Sequence, residues 1–246
     1  YNGETKAVNV SSYEDLIKKL PRSQNNLGYI FGGYYFNDGQ SQDRPLTSKN
    51  FDYIVEKNND MTISIKWYPS SKTKVWGDLF YEVSNSSITI VGTKNHTATS
   101  VEIPNTIDGM PVTKVGAGAF AWCTDITTLT LNNNLKKIAG LDEPLPKPYT
   151  GSSVPAFNGC GKISRINASS INSWINLNQR SFNSKYDLYI NNKKLIDLVI
   201  PNEITEIPSG CFYSCISLKS ITLHDKVVSV GIQSFAQCTN VSKLDL

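Results

Sequence analysis

Through the second half of the chain, apolar residues recur two apart with a polar residue between them: Leu129-Thr-Leu131, Ile166-Asn-Ala168, Ile221-Thr-Leu223 and Leu244-Asp-Leu246. Period two is the pattern of a short strand with one face buried and the middle residue turned outward. Each pair follows a stamp of a small residue, a Phe, two variable residues and a Cys: Ala119-Phe120-x-x-Cys123, Ala156-Phe157-x-x-Cys160, Cys211-Phe212-x-x-Cys215 and Ser234-Phe235-x-x-Cys238. Three residues past each Cys stands Ile126, Ile163, Leu218 or Val241, and five residues before a Phe stand Val115, Ile207 and Val230. The Phe-to-Cys spacing of three predicts a short helical turn with both side chains inward. Cys215 and Cys238 are 23 residues apart, which sets the unit at about 23 residues. No unit of that length buries its own apolar side, so the repeats must stack as a solenoid.

Two spacings exceed the unit. Between Cys123 and Cys160 the excess falls at about 139–155, where Pro144, Pro146, Pro148 and Pro155 predict a surface loop. Between Cys160 and Cys215 it falls at about 168–197, and Leu188-Tyr-Ile190 and Lys194-Leu-Ile196 around Asn191-Asn192 predict two strands joined by a tight turn. A further hairpin, Leu79 to Val83 and Ile88 to Val91 around Asn85-Ser86-Ser87, is expected to cap the first coil within 79–100. Tyr68 to Lys74 is polar and breaker-rich and marks a domain boundary, giving a module at 1–70 and a repeat domain at 71–246. In the first module Ser11-x-x-Glu14 opens an amphipathic helix that Pro21 stops. Tyr29 to Phe36 and Met61 to Trp67 read as strands. The fold class expected is α+β: a small β-grasp-like module, then a solenoid of short strands and short helical turns.

Val101-Glu-Ile-Pro104, Val112-Thr-Lys-Val-Gly116 and Ala119-Phe120-Ala-Trp-Cys123, repeated from Leu198-Val-Ile-Pro201 and Ile204-Thr-Glu-Ile207, resemble the BspA-like leucine-rich repeat of bacterial surface proteins, over about Leu79 to Leu246. Pro208 stands where that pattern has the glycine that Gly116 and Gly231 keep. Gly28 to Tyr35 with Asp60 to Trp67 resembles the internalin B-repeat family, a β-grasp-like module, although Gly33-Tyr34-Tyr35 replaces its usual Gly-Trp-Tyr. These resemblances imply a secreted or surface-displayed bacterial binding protein, an adhesin type that meets a host or microbial surface protein or glycan. Two alternatives stand beside it: a structural stalk, and the targeting region of a larger secreted hydrolase. The chain starts at Tyr1 rather than Met and stops mid-unit, which points to a piece of a longer protein.

Composition narrows the choice. A net charge of +3 with scattered lysines offers no patch for nucleic acid. No apolar run approaches the ~18 residues of a membrane span. Four of the 5 cysteines are the stamp and Cys211 takes the small-residue position, so all read as buried free thiols. The 2 histidines, His96 and His224, sit in separate polar contexts and read as solvated, and no phosphate loop, nucleophile elbow or metal-ligand spacing appears. A non-enzymatic chain without catalytic, metal or cofactor residues is expected. Binding then falls to the outward strand positions Thr128 and Thr130, Arg165 and Asn167, Ser220 and Thr222, and Lys243 and Asp245. Trp174, inside the long insertion, and Trp76 are the aromatics the repeat does not explain, and Trp174 joins the candidates as a stacking platform for a sugar.

Overall fold

The computed structural model describes residues 16, 29–37, 44–46, 62–140, 155–177, 182 and 184–245. Two rows of short strands run through it and define a β-solenoid of about 6 turns. In the first row Ser100–Glu102, Thr128–Thr130, Arg165–Ala168 and Asp187–Ile190 pair in parallel. The row resumes as a second sheet of Asp197–Val199, Ser220–Thr222 and Lys243–Asp245, also parallel. In the other row Ser87–Thr93, Met110–Val115 and Lys137–Ile138 pair in parallel, as do Glu206–Ile207 and Ser229–Val230. The middle residues Val101, Leu129, Ile166, Leu188, Leu198 and Ile221 are buried in one continuous core with Val115, Ile138 and Ile207, as period two requires.

The expectation of α+β with helical turns is corrected: the described residues are nearly all β, with helix only at Leu16 and Ile171–Ile175 among them. Phe and Cys do share an inward face, but on i→i+3 turns rather than helix. Each Cys N–H donates to the carbonyl of its own Phe, at 3.1 Å for Cys123 and 3.0 Å for Cys215. Two facts stop these turns from propagating. The residue before each Cys is left-handed, with φ of 59° at Trp122, 77° at Gly159, 63° at Ser214 and 64° at Gln237. Donors on either side of that bond are spent between coils: Phe120 N on Ala156 O at 2.8 Å, Trp122 N on Asn158 O at 2.7 Å, Phe212 N on Ser234 O at 2.7 Å and Ser214 N on Ala236 O at 2.9 Å. An N–H that bonds to the next coil cannot bond four residues back.

The stamp phenylalanines stack coil on coil, Phe120 on Phe157 at 5.1 Å and Phe212 on Phe235 at 5.3 Å, nearly parallel. Between the pairs the long insertion supplies the aromatic column. Ser170 caps the helix Ile171–Ile175, and Trp174 packs with Phe182 and Tyr186, while Phe182 also meets Phe157 at 5.6 Å. The predicted hairpin follows: Asp187–Ile190 turns back onto Lys193–Lys194 through Asn191 and Asn192, with φ of 48° and 63°. Its first strand is also a rung of the parallel row, a double use the periodicity did not reveal.

At the amino-terminal end Leu79–Ser84 pairs antiparallel with Ser87–Thr93 through Asn85 and Ser86, both at positive φ. Leu79, Tyr81, Ile88 and Ile90 of this hairpin belong to the core. Lys74–Trp76 adds an antiparallel edge strand. Before it Tyr29–Asn37 pairs antiparallel with Thr62–Pro69 and with Arg44–Pro45. Leu16, Tyr35, Phe36 and Leu46 are buried outside the solenoid core, as are Phe80 and Val91. Of the predicted amino-terminal helix the described part is Leu16, which is helical. The rest of that helix, and residues 141–154 of the proline-rich loop, lie outside the described residues.

Candidate binding face

Parallel pairing sets the outward residues of the first sheet in two files. Ser100, Thr128, Arg165 and Asp187 form one; Glu102, Thr130, Asn167 and Tyr189 form the other. In the second sheet the files are Asp197, Ser220, Lys243 and Val199, Thr222, Asp245. The predicted strand candidates therefore do line up, but as two patches, because Lys193–Lys194 closes the edge of the first sheet.

Within the first patch the Arg165 guanidinium lies over the Tyr189 ring, 3.8 Å from its centroid. Asp187, beside Arg165 in register, is instead taken by Lys194 at 2.8 Å. Thr128 and Thr130 are half-buried on the same face. In the second patch Ser220 donates to Asp197 at 2.5 Å and Lys243 pairs with Asp245 at 2.7 Å. The charged side chains of this patch are therefore engaged within it, whereas in the first patch Arg165 has no acid partner among the described residues.

Two candidates are corrected. Asn167 is buried, and its Oδ1 accepts from Asn192 N at 2.9 Å, so it holds the hairpin turn. Trp174 is 0% exposed and presents no face to a sugar. Both errors trace to the insertion: its hairpin turn engages Asn167, and its own residues Phe182 and Tyr186 pack around Trp174. Trp76 is 45% exposed, on the edge strand before the amino-terminal hairpin.

Residues 92–140 and 185–246 match the BspA type leucine-rich repeat region in 6 copies. These segments are BspA-type leucine-rich repeats. The match omits 141–184, where the insertions interrupt the spine. Among solved structures, a leucine-rich repeat protein of T. pallidum is 21% identical, with a TM-score of 0.41 over 71% of this chain and 82% of that one. A leucine-rich cell surface protein from Faecalibacterium prausnitzii is 15% identical, TM-score 0.38, over 72% of this chain and 55% of that one. A leucine-rich repeat protein from Bacteroides ovatus is 17% identical, TM-score 0.38, over 70% of this chain and 41% of that one. Comparison with curated proteins returns no match.

The BspA-type stamp gives its cysteines a definite task. Cys160 Sγ donates to Phe120 O and Cys238 Sγ to Phe212 O, each at 3.0 Å, so a thiol of one coil joins the turn of the coil before it. All 5 cysteines are free. Desolvation raises the thiols of Cys160, Cys211 and Cys215, and pushes Cys238 up to about 11. They are protonated at neutral pH, the wrong state for a nucleophile.

The histidines are structural rather than solvated. Cys123 Sγ lies 3.6 Å from His96 Nδ1. His224 Nε2 donates to Pro201 O at 3.0 Å while Nδ1 accepts from Lys226 N at 3.2 Å. Those are the contacts of Asn132, whose Nδ2 donates to Pro104 O at 2.7 Å and whose Oδ1 accepts from Asn134 N at 2.7 Å. Asn132 and His224 stand nine residues past Cys123 and Cys215, and that shared offset is the signal that identifies the histidine as a turn residue. Among the described residues no helix is long and apolar enough to cross a membrane.

Proposed function

We propose that this chain is a protein-binding module displayed outside a bacterial cell, an adhesin-type solenoid that meets its partner through the outward face of the first sheet. Leucine-rich repeat proteins bind proteins, and the F. prausnitzii protein above is described as a cell surface protein. The observation that carries the reading is a contrast in how charges are engaged: the first patch holds a positioned Arg165 with no acid partner among the described residues, while in the second Lys243 pairs with Asp245 and Asp197 accepts from Ser220. Tyr and Arg are the residues that anchor protein interfaces. A protein partner is favoured over a glycan because Trp174 is buried and one face of Tyr189 is covered by the guanidinium.

The test is a surface-binding panel of extracellular-matrix proteins, mucins and microbial surface proteins, run with the parent chain, a Thr128→Lys/Thr130→Lys double variant and a Lys72→Glu control. Saturable binding that the double variant weakens by about tenfold or more, with the control unchanged, is expected for contacts at the centre of an interface. Binding insensitive to the double variant, or none across the panel, overturns the reading.

A further inference from the structure

We infer that Arg165, steadied by Tyr189 and assisted by Thr128, is a carboxylate-binding subsite for an acidic segment of a protein partner. The inference rests on the binding face proposed above and names what that face recognises.

An arginine at a strand surface ordinarily meets the nearest acid. Here the register places Asp187 directly beside Arg165, yet the Asp187 carboxylate is 2.8 Å from Lys194. The guanidinium turns instead onto the ring of Tyr189, two residues past Asp187 on the neighbouring strand. Among the described residues Arg165 has no carboxylate partner and no side-chain hydrogen bond. A guanidinium stacked on a ring keeps its N–H donors in one plane with their outer edges open. That is the geometry a carboxylate fills with two parallel hydrogen bonds.

The neighbours select the ligand further. Thr128 sits one strand away from Arg165 in direct register, and its hydroxyl makes no hydrogen bond among the described residues. Adjacent strands are ~4.8 Å apart, close enough for the hydroxyl to reach the same carboxylate or the amide behind it. On the other side Lys193 is exposed and has no acid partner among the described residues, while Lys194 is held by Asp187. The hairpin tip thus adds positive charge without an acid to cancel it, and the one outward acid left over in the two files is Glu102, two strands away. A sugar ring that stacked on the aromatic beside Arg165 would compete with the guanidinium for that face of Tyr189. An acidic peptide needs the fork alone.

The test uses the whole chain and a hexaglutamate peptide, followed through the Arg165 Nε–Hε resonance at low ionic strength. A saturable shift of that resonance, reversed by salt, is expected. Arg165→Lys keeps the charge and loses the planar fork, so it should weaken binding by about tenfold. Tyr189→Leu removes the platform and should weaken it by about threefold to tenfold. Lys193→Ala should change it by less than about threefold. Melting curves confirm that each variant is folded. No shift at Arg165, equal binding by Arg165→Lys, or tighter binding of an oligoglucuronate than of hexaglutamate overturns the inference. The two tests fail separately: a panel partner that binds through Thr128 and Thr130 without any hexaglutamate shift sinks only the subsite. A specific hexaglutamate site on a chain that binds nothing in the panel sinks only the wider function.

Discussion

In the first half of the solenoid a Cβ added to Gly116 would lie 3.1 Å from the Ile90 carbonyl, while in the second half a Cβ on Gly231, at the same place in the repeat, would lie 2.3 Å from Ser209 N and 2.7 Å from Ser209 Cα. Both glycines donate to the coil before, Gly116 to Ile90 O at 2.7 Å and Gly231 to Ile207 O at 2.8 Å. The bond is the same and the clearance differs. Gly231 faces the segment in which Pro208 replaces the repeat's glycine, and a proline's φ is fixed, so that backbone has little freedom to retreat. A substitution in one coil is therefore felt as a constraint on its neighbour, which is how nearest-neighbour coupling in a stacked fold becomes visible in single residues.

The contrast can be broken by substitution. Gly231→Ala forces backbone apart and should cost about 3 kcal/mol or more, against about 1 kcal/mol for Gly116→Ala, by chemical denaturation. Equal costs would mean that the two halves have the same clearance. Next in size, Phe212→Ala should cost about 3 to 5 kcal/mol because the ring is fully buried. Phe235→Ala, half-buried in the last described coil, should cost about half as much.

The turns give a third comparison. Asn132→Ala and His224→Ala should each cost about 1 to 2 kcal/mol, since each removes one donor and one acceptor. The swap His224→Asn should stay within about 0.5 kcal/mol of the parent, because the amide can make both bonds. A swap as costly as the alanine variant would refute the equivalence of the two positions.

The smallest effect is a pH dependence at the stamp. An unfolded thiol ionises near 9.0, whereas Cys238 in the fold is pushed up to about 11 by burial. Its folded value is raised, so its contribution is fully present below pH 9.0 and is lost as pH climbs through about 11. The melting temperature should fall across that window, and Cys238→Ser should reduce the fall. Native-state alkylation should reach Cys238 ahead of the more deeply buried Cys160.

Much of this was legible in the sequence where the deciding interactions are local. Alternation at Leu129-Thr-Leu131 gave a strand because period two belongs to strands alone. Asn85-Ser86 and Asn191-Asn192 gave tight turns because residues that accept positive φ stood between alternating runs. The Phe-to-Cys spacing misled because three residues span a helical turn and an i→i+3 turn equally well. What separates them is the partner of the Phe N–H, and that partner sits one coil away. The candidate face was legible as far as register goes: Thr128 beside Arg165, Ser220 beside Lys243. It failed at Asn167 and Trp174, whose burial is decided by an insertion with no counterpart in the repeat. Nothing in the sequence pairs Arg165 with Tyr189, because the pairing depends on the hairpin strand doubling as a rung.

The intercoil hydrogen bonds, in both strand rows and at the stamp turns, point along the solenoid axis, and that orientation sets how the molecule yields to a pull. A load applied at its two ends passes through the rungs in series, so each rung bears the whole tension and the end coil peels first. Drawn across its axis, the same stack would have to slide many rungs at once. A chain of this build lengthens in coil-sized steps when tugged end to end, and stands stiff against a force from the side.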